Sequence, residues 1–157
     1  MITKIISGGQ TGADRAALDA AIEMSVPHGG WIPKGRLTEA GPLPESYDLK
    51  EMSTEDYLDR TRQNVLDSDG TVVLSHGRLR GGSKQTAVFA AEAGKPLLHL
   101  DLETMALSRA SEKMFAWIRA NAISVLNVAG PRASQDPRIY ERVKAVVKAV
   151  LQGLQPR

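Results

Sequence analysis

Cysteine is absent from this 157-residue chain. That excludes disulfides, thiolate metal sites and a cysteine nucleophile together, and makes a reducing, cytoplasmic setting the expectation. Aromatic residues are only 4% of the chain, too few for the stacking platforms with which proteins grip single-stranded nucleic acid. A surplus of one charge is missing as well. Twenty Lys plus Arg face 18 Asp plus Glu, leaving +2, so no polyanion track is indicated and nucleic acid is not an expected partner. No apolar run approaches the roughly 20 residues of a membrane span. Residues 1–6 lack the longer apolar region and cleavage site of a secretory signal, so no membrane partner is expected either. What remains is the ordinary balance of a globular chain, 42% hydrophobic and 24% charged. At this length a single domain over residues 1–157 is expected, burying roughly 70% of its unfolded surface.

Short apolar runs alternate with helical patterns. Strands are expected over 4–7, 26–31, 71–74, 97–100 and 123–128, and helices over 12–24, 54–67, 83–93, 108–121 and 136–151. Ala13, Ala16, Ala17, Ala20 and Ala21 give the first helix a small-residue face for close packing on a sheet. Ser53 or Thr54 reads as the cap of the second helix, Ser83 as that of the third, and Pro137 as the first residue of the last. Thr11 and Asp14 have the spacing of a capping box. Residues 33–50 carry Gly, Pro and polar residues without a period, and a connection of that length points to function or disorder. Strands joined by crossover helices imply an α/β, Rossmann-like three-layer domain. Its mostly parallel sheet, of about five or more strands, would be flanked by helices on both faces.

In such a fold, ligands bind beyond the carboxyl ends of the strands. The segments that follow the strands are therefore the candidate site. They are Gly8, Gly9, Gln10, Thr11 and Gly12 after the first strand, and Lys34 and Arg36 after the second. Ser75 to Ser83 follows the third, with Arg78, Arg80, Gly81 and Gly82, and Asn127, Gly130, Arg132 and Ser134 belong to the fifth. Glycines let backbone approach a ligand closely, and free amides at a helix start favour an anion, most often a phosphate. Arg132 suits a charge-assisted pair with phosphate or carboxylate, and it also suits an internal acidic partner. Trp31 could flank a planar ring or pack in the core. Arg60 and Asn64 share one helix face, either toward ligand or to anchor the long connection. His76 is a candidate base or a simple hydrogen-bonding loop residue.

GGQTGADRAALDAA (8–21), GGWIPKGR (29–36), RTRQNVLDSDGTVVL (60–74) and LNVAGPRAS (126–134) resemble the molybdenum cofactor carrier proteins. These are a branch of the Rossmann-like nucleotide-binding folds that also include the "lonely guy" phosphoribohydrolases. The resemblance spans nearly the whole chain. It implies a homo-oligomer, dimer or tetramer, that binds the molybdenum cofactor, a phosphate-bearing pterin, and hands it to molybdoenzymes. The residues implied in binding are Gly8, Gly9, Gln10, Thr11, Gly12, Lys34, Arg36, Ser75, Gly81, Gly82, Ser83, Asn127, Gly130, Arg132 and Ser134, with no catalytic residue and no metal ligand from the protein. Two positions depart from the family pattern: Ile32 stands where a cysteine often follows the tryptophan, and Ser83 where threonine often follows the glycine pair. The alternative is a nucleotide-binding protein or a nucleoside-monophosphate phosphoribohydrolase. That chemistry would need a glutamate in the helix after the second glycine pair, and residues 83–91 contain no acid.

Overall fold

In the computed structural model, which describes residues 1–154, the expected alternation becomes a five-stranded, all-parallel sheet between two helical layers. The strands are β1 (Lys4–Ile6), β2 (His28–Gly29), β7 (Gly70–Ser75), β8 (Leu97–Asp101) and β9 (Val125–Ala129), in the spatial order β2-β1-β9-β7-β8. Two short side pairs lie outside this sheet: β3 (Trp31–Ile32) with β6 (Lys50–Glu51), and β4 (Leu37–Thr38) with β5 (Gly41–Pro42). The helices are α1 (Ala13–Glu23), α2 (Tyr57–Asp67), α3 (Gly81–Glu92), α4 (Leu107–Ala120) and α5 (Ile139–Leu154).

α1, α4 and α5 pack together on one face, where the alanines of α1 and the valines of α5 are fully buried with Ile5, Leu74 and Leu126. The alanine face does what its small side chains allow, a close helix-to-helix and helix-to-sheet approach. α2 and α3 cover the other face around Val65, Phe89 and Ala90.

Several expected boundaries move, each for a tertiary reason. The expected strand over 26–31 divides because Gly30 turns the chain at φ 122°, which sends Trp31 and Ile32 to pair with β6. The capping box does not form. Gly12, at φ 79°, is the N-cap, and the Ala13 amide donates to the Pro131 carbonyl at 3.1 Å. α2 is capped by Asp56, which accepts from the Leu58 amide at 2.8 Å, rather than by Ser53 or Thr54. α3 starts at Gly81, so Ser83 lies in its first turn and is not its cap. α5 starts at Ile139, past Pro137, because Asp136 instead accepts from the Arg138 amide in a turn of its own.

The long connection is ordered. Arg36 donates to the carbonyls of Leu43, Leu49, Pro44 and Tyr47 at 2.8–3.4 Å. Leu43 and Leu49 bury against Leu18 and Ile32. The loop thus carries its own small core and needs no long regular element.

Candidate functional site

β1, β9 and β7 stand side by side at the middle of the sheet. β1 leads through α1 to β2 on one side, whereas β7 leads through α3 to β8 on the other, so the segments leaving their carboxyl ends diverge and open a crevice. That crevice is lined by Gly8, Gln10 and Asp14 from the first turn, by Tyr57, Arg60, Thr61 and Asn64 from α2, and by Gly82, Ser83 and Thr86 from α3. Asn127, Gly130, Arg132 and Gln135 complete it from the β9 end. Its volume is about 120 Å³, several times what one water needs.

The two glycine turns behave differently. In the first, the amides are already used: Gly9 donates to Ser7 Oγ, Gln10 to Asp14 Oδ2, Thr11 to Gln10 Oε1 and Ala13 to the Pro131 carbonyl. In the second, Arg80 gives no side-chain cap, and the amides of Gly81, Gly82 and Ser83 have no hydrogen-bond partner among the described residues. A Cβ added at Gly81 or Gly82 would meet nothing within 4 Å. The start of α3 therefore has open space before free donors, and its helix dipole adds positive character there.

Two buried groups of opposite charge, Asp14 and Arg60, line the crevice. Asp14 is 8% exposed and Arg60 is 6% exposed. Burial pushes the Asp14 carboxyl up to about 6; the charge of Arg60, the Gln10 amide, Arg15 and the Gly8 amide pull in the other direction and offset only part of it. Arg60 also donates through Nη1 to the Gly8 carbonyl. A Cβ at position 8 would lie 2.4 Å from that nitrogen, so a side chain there would displace the Arg60 guanidinium. Burial lowers the Arg60 pKa and Asp14 works against that shift, yet a guanidinium keeps its charge at any ordinary pH.

The remaining expected site residues fall into three groups. Gly8, Gln10, Gly82, Ser83, Asn127, Gly130 and Arg132 line the crevice. Among them Asn127 is buried and donates from its side-chain amide to Thr71 Oγ1 at 3.2 Å. Thr11 and Ser134 are tied to Glu39, which comes from the β4–β5 turn. The Thr11 hydroxyl donates to Oε2, and Ser134 donates through its amide at 3.1 Å and its hydroxyl at 2.5 Å. Arg132 approaches the same carboxylate at 4.0 Å. Lys34 and Arg36 point elsewhere, Lys34 exposed and Arg36 committed to the loop carbonyls. Gly9 packs under Leu49, Ile32 and Leu43, away from the crevice lining. Ser75 donates to the Gly77 carbonyl at 2.7 Å and contacts His99 Nε2 at 2.7 Å; it lines an adjoining basin. Trp31 donates from its indole to Asp67 at 2.7 Å and takes no place in the crevice.

Sequence reasoning gave Asp14 a capping role and missed its place in the crevice. It also missed Thr86 and Gln135. Asn64 turns out to be the anchor: its side chain receives the Trp31 amide at 2.8 Å and donates to the Trp31 carbonyl at 3.1 Å, fixing the start of the long connection. Arg60 instead lines the crevice and donates to the Gly8 carbonyl. The shared helix face carried that information; the division of labour along it did not.

Comparison with known proteins agrees with this architecture. No curated protein matches the chain. A crystal structure from Syntrophus aciditrophicus SB, described as a "putative molybdenum carrier protein", is similar at 55% identity and a TM-score of 0.94, over 96% of this chain and 95% of that one. A family model matches residues 5–151, a span that runs from β1 into the last turns of α5 and takes in every segment of the crevice. The chain belongs to the circularly permutated YpsA SLOG family.

Proposed function

We propose that this protein carries the molybdenum cofactor, holding a phosphate-bearing pterin in the central crevice without changing it chemically. The observation that carries the reading is the open start of α3, where the unpartnered amides belong to residues of which Gly82 and Ser83 line a crevice bordered by Arg132. A phosphate there gains donors, a helix dipole and a guanidinium together. Asp14 at the opposite end disfavours an anion, so the ligand is oriented with its phosphate toward α3 and its neutral, hydrogen-bonding ring toward Asp14 and Asn127. The similarity to a protein described as a molybdenum carrier supports the same choice of cargo. Among the described residues no three His, Cys, Asp or Glu side chains gather as metal ligands. In this reading the metal travels as part of the organic cargo.

The test is purification from a host that makes the cofactor, followed by metal analysis and pterin fluorescence after oxidation. Molybdenum and pterin co-eluting with the protein are the expected result. Arg132→Ala should weaken binding of the phosphorylated ligand by about 1.5–3 kcal/mol, the range for a hydrogen bond to a charged group. Protein free of both metal and pterin, but stabilised by nucleotides in a thermal-shift panel, overturns the carrier reading.

One observation favours a second reading, nucleotide hydrolysis. α3 supplies no acid before Glu92, at its last position, but Asp14 places a buried carboxyl, titrating near 6, inside the crevice. A group so tuned suits acid–base work near neutrality. Release of base or phosphate from nucleoside monophosphates, lost in Asp14→Asn, would establish it.

A further inference from the structure

Beyond the crevice lies a second basin, lined by Ser75, His76, Arg78, Arg80, Ser83, Pro131, Gln135 and Asp136 and about 450 Å³ in volume. Ser83 and Gln135 line both spaces, so one continues into the other. The His76 side chain is only 5% exposed, and its Nδ1 lies 2.5 Å from Asp136 Oδ2. Because the carboxylate can only accept, Nδ1 carries the proton of that bond. Asp136 is itself held by the Arg138 amide on its other oxygen at 3.1 Å. The far ring nitrogen, Nε2, is buried and has no hydrogen-bond partner. A buried polar atom without a partner is uncommon in folded proteins and asks for one from outside the chain. Here the ring is fixed by a carboxylate, and His76 lines a basin together with two arginines.

We propose that this basin is a second anion subsite, in which His76, its ring held at Nδ1 by Asp136, donates from Nε2 to an oxygen of a phosphoryl group that Arg78 and Arg80 neutralise. The inference rests on the function proposed above and narrows the ligand class. With the first phosphoryl group at the start of α3, the second sits in a basin that shares Ser83 and Gln135 with the crevice. The natural ligand is therefore a diphosphate or a diphosphate-bridged conjugate rather than a simple monophosphate ester. Ser75 lines the basin and contacts His99 through Oγ, and outside it Asp101 accepts from the Gly77 amide at 2.8 Å, which fixes the turn carrying His76. Asp136 is a positioning residue, since it acts on the ligand only through the imidazole.

The experiment compares inorganic diphosphate with inorganic orthophosphate by calorimetry on the full chain. Diphosphate is expected to bind at least ten-fold more tightly. In His76→Asn the amide can stand in for Nδ1 toward Asp136 but leaves nothing at the position of Nε2. The advantage of diphosphate should then fall below about three-fold with orthophosphate affinity unchanged. His76→Gln, whose amide reaches the Nε2 position, should recover part of it. Thermal unfolding of both variants shows whether they are folded, and the ring ¹⁵N resonances of wild-type His76 give a second readout that should move on addition of diphosphate. Equal affinity for the two anions, an undiminished advantage in His76→Asn, or unmoved ring resonances would each overturn the subsite. If diphosphate binds through His76 while orthophosphate alone does not bind at all, the subsite stands and the phosphate site at α3 falls. If neither anion binds, both fall.

Discussion

Replacing Arg60 by methionine tests the electrostatics of the crevice directly. Arg60 and Asp14 are both almost wholly buried, and the charge of Arg60 is the largest influence holding the Asp14 proton affinity down. Methionine fills a similar channel without charge, so Arg60→Met removes the strongest charge favouring the Asp14 carboxylate and leaves only Arg15 and the Gln10 and Gly8 amides, a loss of about 1–4 kcal/mol. The sign of the pH dependence follows from where Asp14 titrates. Its folded-state value is about 6, against 3.8 for the unpaired group. Between those values the folded protein binds more protons than the unfolded chain, so stability falls as pH rises from about 4 through 6. In the wild type this loss amounts to about 3 kcal/mol and is complete above that window. Without Arg60 the folded-state value climbs further, so the deficit of the variant should be small at pH 5 and should grow towards pH 8. Adding Asp14→Asn removes the stranded charge. At pH 8 the double variant should therefore be more stable than Arg60→Met alone, with a coupling of about 2–3 kcal/mol. Urea denaturation at pH 5, 6, 7 and 8 measures all four corners of the cycle. A deficit independent of pH, or two substitutions that simply add, would refute the idea that the pair is held together by compensating burial costs.

Three other substitutions probe the frame around the crevice. Arg36→Lys keeps the charge but loses the guanidinium fork that reaches four loop carbonyls. It should destabilise the 37–51 segment by about 2–3 kcal/mol, read as faster amide exchange there with the sheet unchanged. Gly12→Ala forces a side chain onto φ 79° with its Cβ 2.4 Å from the Pro131 carbonyl oxygen; a loss of about 3 kcal/mol or more in a urea melt is expected, and a neutral result would mean the β9 loop yields. For Glu39, burial pushes its carboxyl up, but the hydrogen bonds from Ser134 and Thr11 outweigh it, and the group ends below its ordinary value of 4.5. Its stabilising contribution is therefore present above pH 4.5 and is lost as pH falls through the lower folded-state value. Glu39→Gln should abolish that acid-side dependence and speed amide exchange at residues 39–42 without altering the sheet.

How much of this could be read from the sequence depended on whether a feature is local. The β-branched residues at 71–74 and the alanines of α1 specify a buried strand and a tightly packed helix through near neighbours, and both appear where expected. Helix starts were less legible because their caps come from elsewhere: Ala13 is capped by the Pro131 carbonyl, a contact that no spacing near Gly12 could announce. The Glu39 brace was invisible for the same reason, since it reaches Thr11 across 28 residues and Ser134 across 95. Arg60 and Asn64 were placed together because four residues along a helix is a local relation. That one turns to Gly8 and the other to Trp31 depends on partners 52 and 33 residues away.

The glycine pattern itself shows why a motif underdetermines a site. GGQTGAD and RGGSKQT offer the same chemistry on paper, a strand, two glycines and a helix start. In the first, Asp14 accepts from the Gln10 amide within the turn, and so occupies with its own carboxylate the place a bound anion would take. The second carries no acid in its first turn, and its amides stay free. The prediction is specific: Asp14→Asn should raise anion affinity at the crevice, because a negative charge is removed from its wall while the amide can still accept from Gln10. At an effective dielectric of about 20, removing a nearby unit charge is worth on the order of 2 kcal/mol, so orthophosphate should bind about thirty-fold more tightly to the variant at pH 8. At pH 5, where Asp14 in the wild type is largely protonated, the two proteins should bind phosphate alike. A variant that binds phosphate more weakly at both pH values would mean that the carboxylate recruits the ligand, and the orientation argued here would have to be reversed.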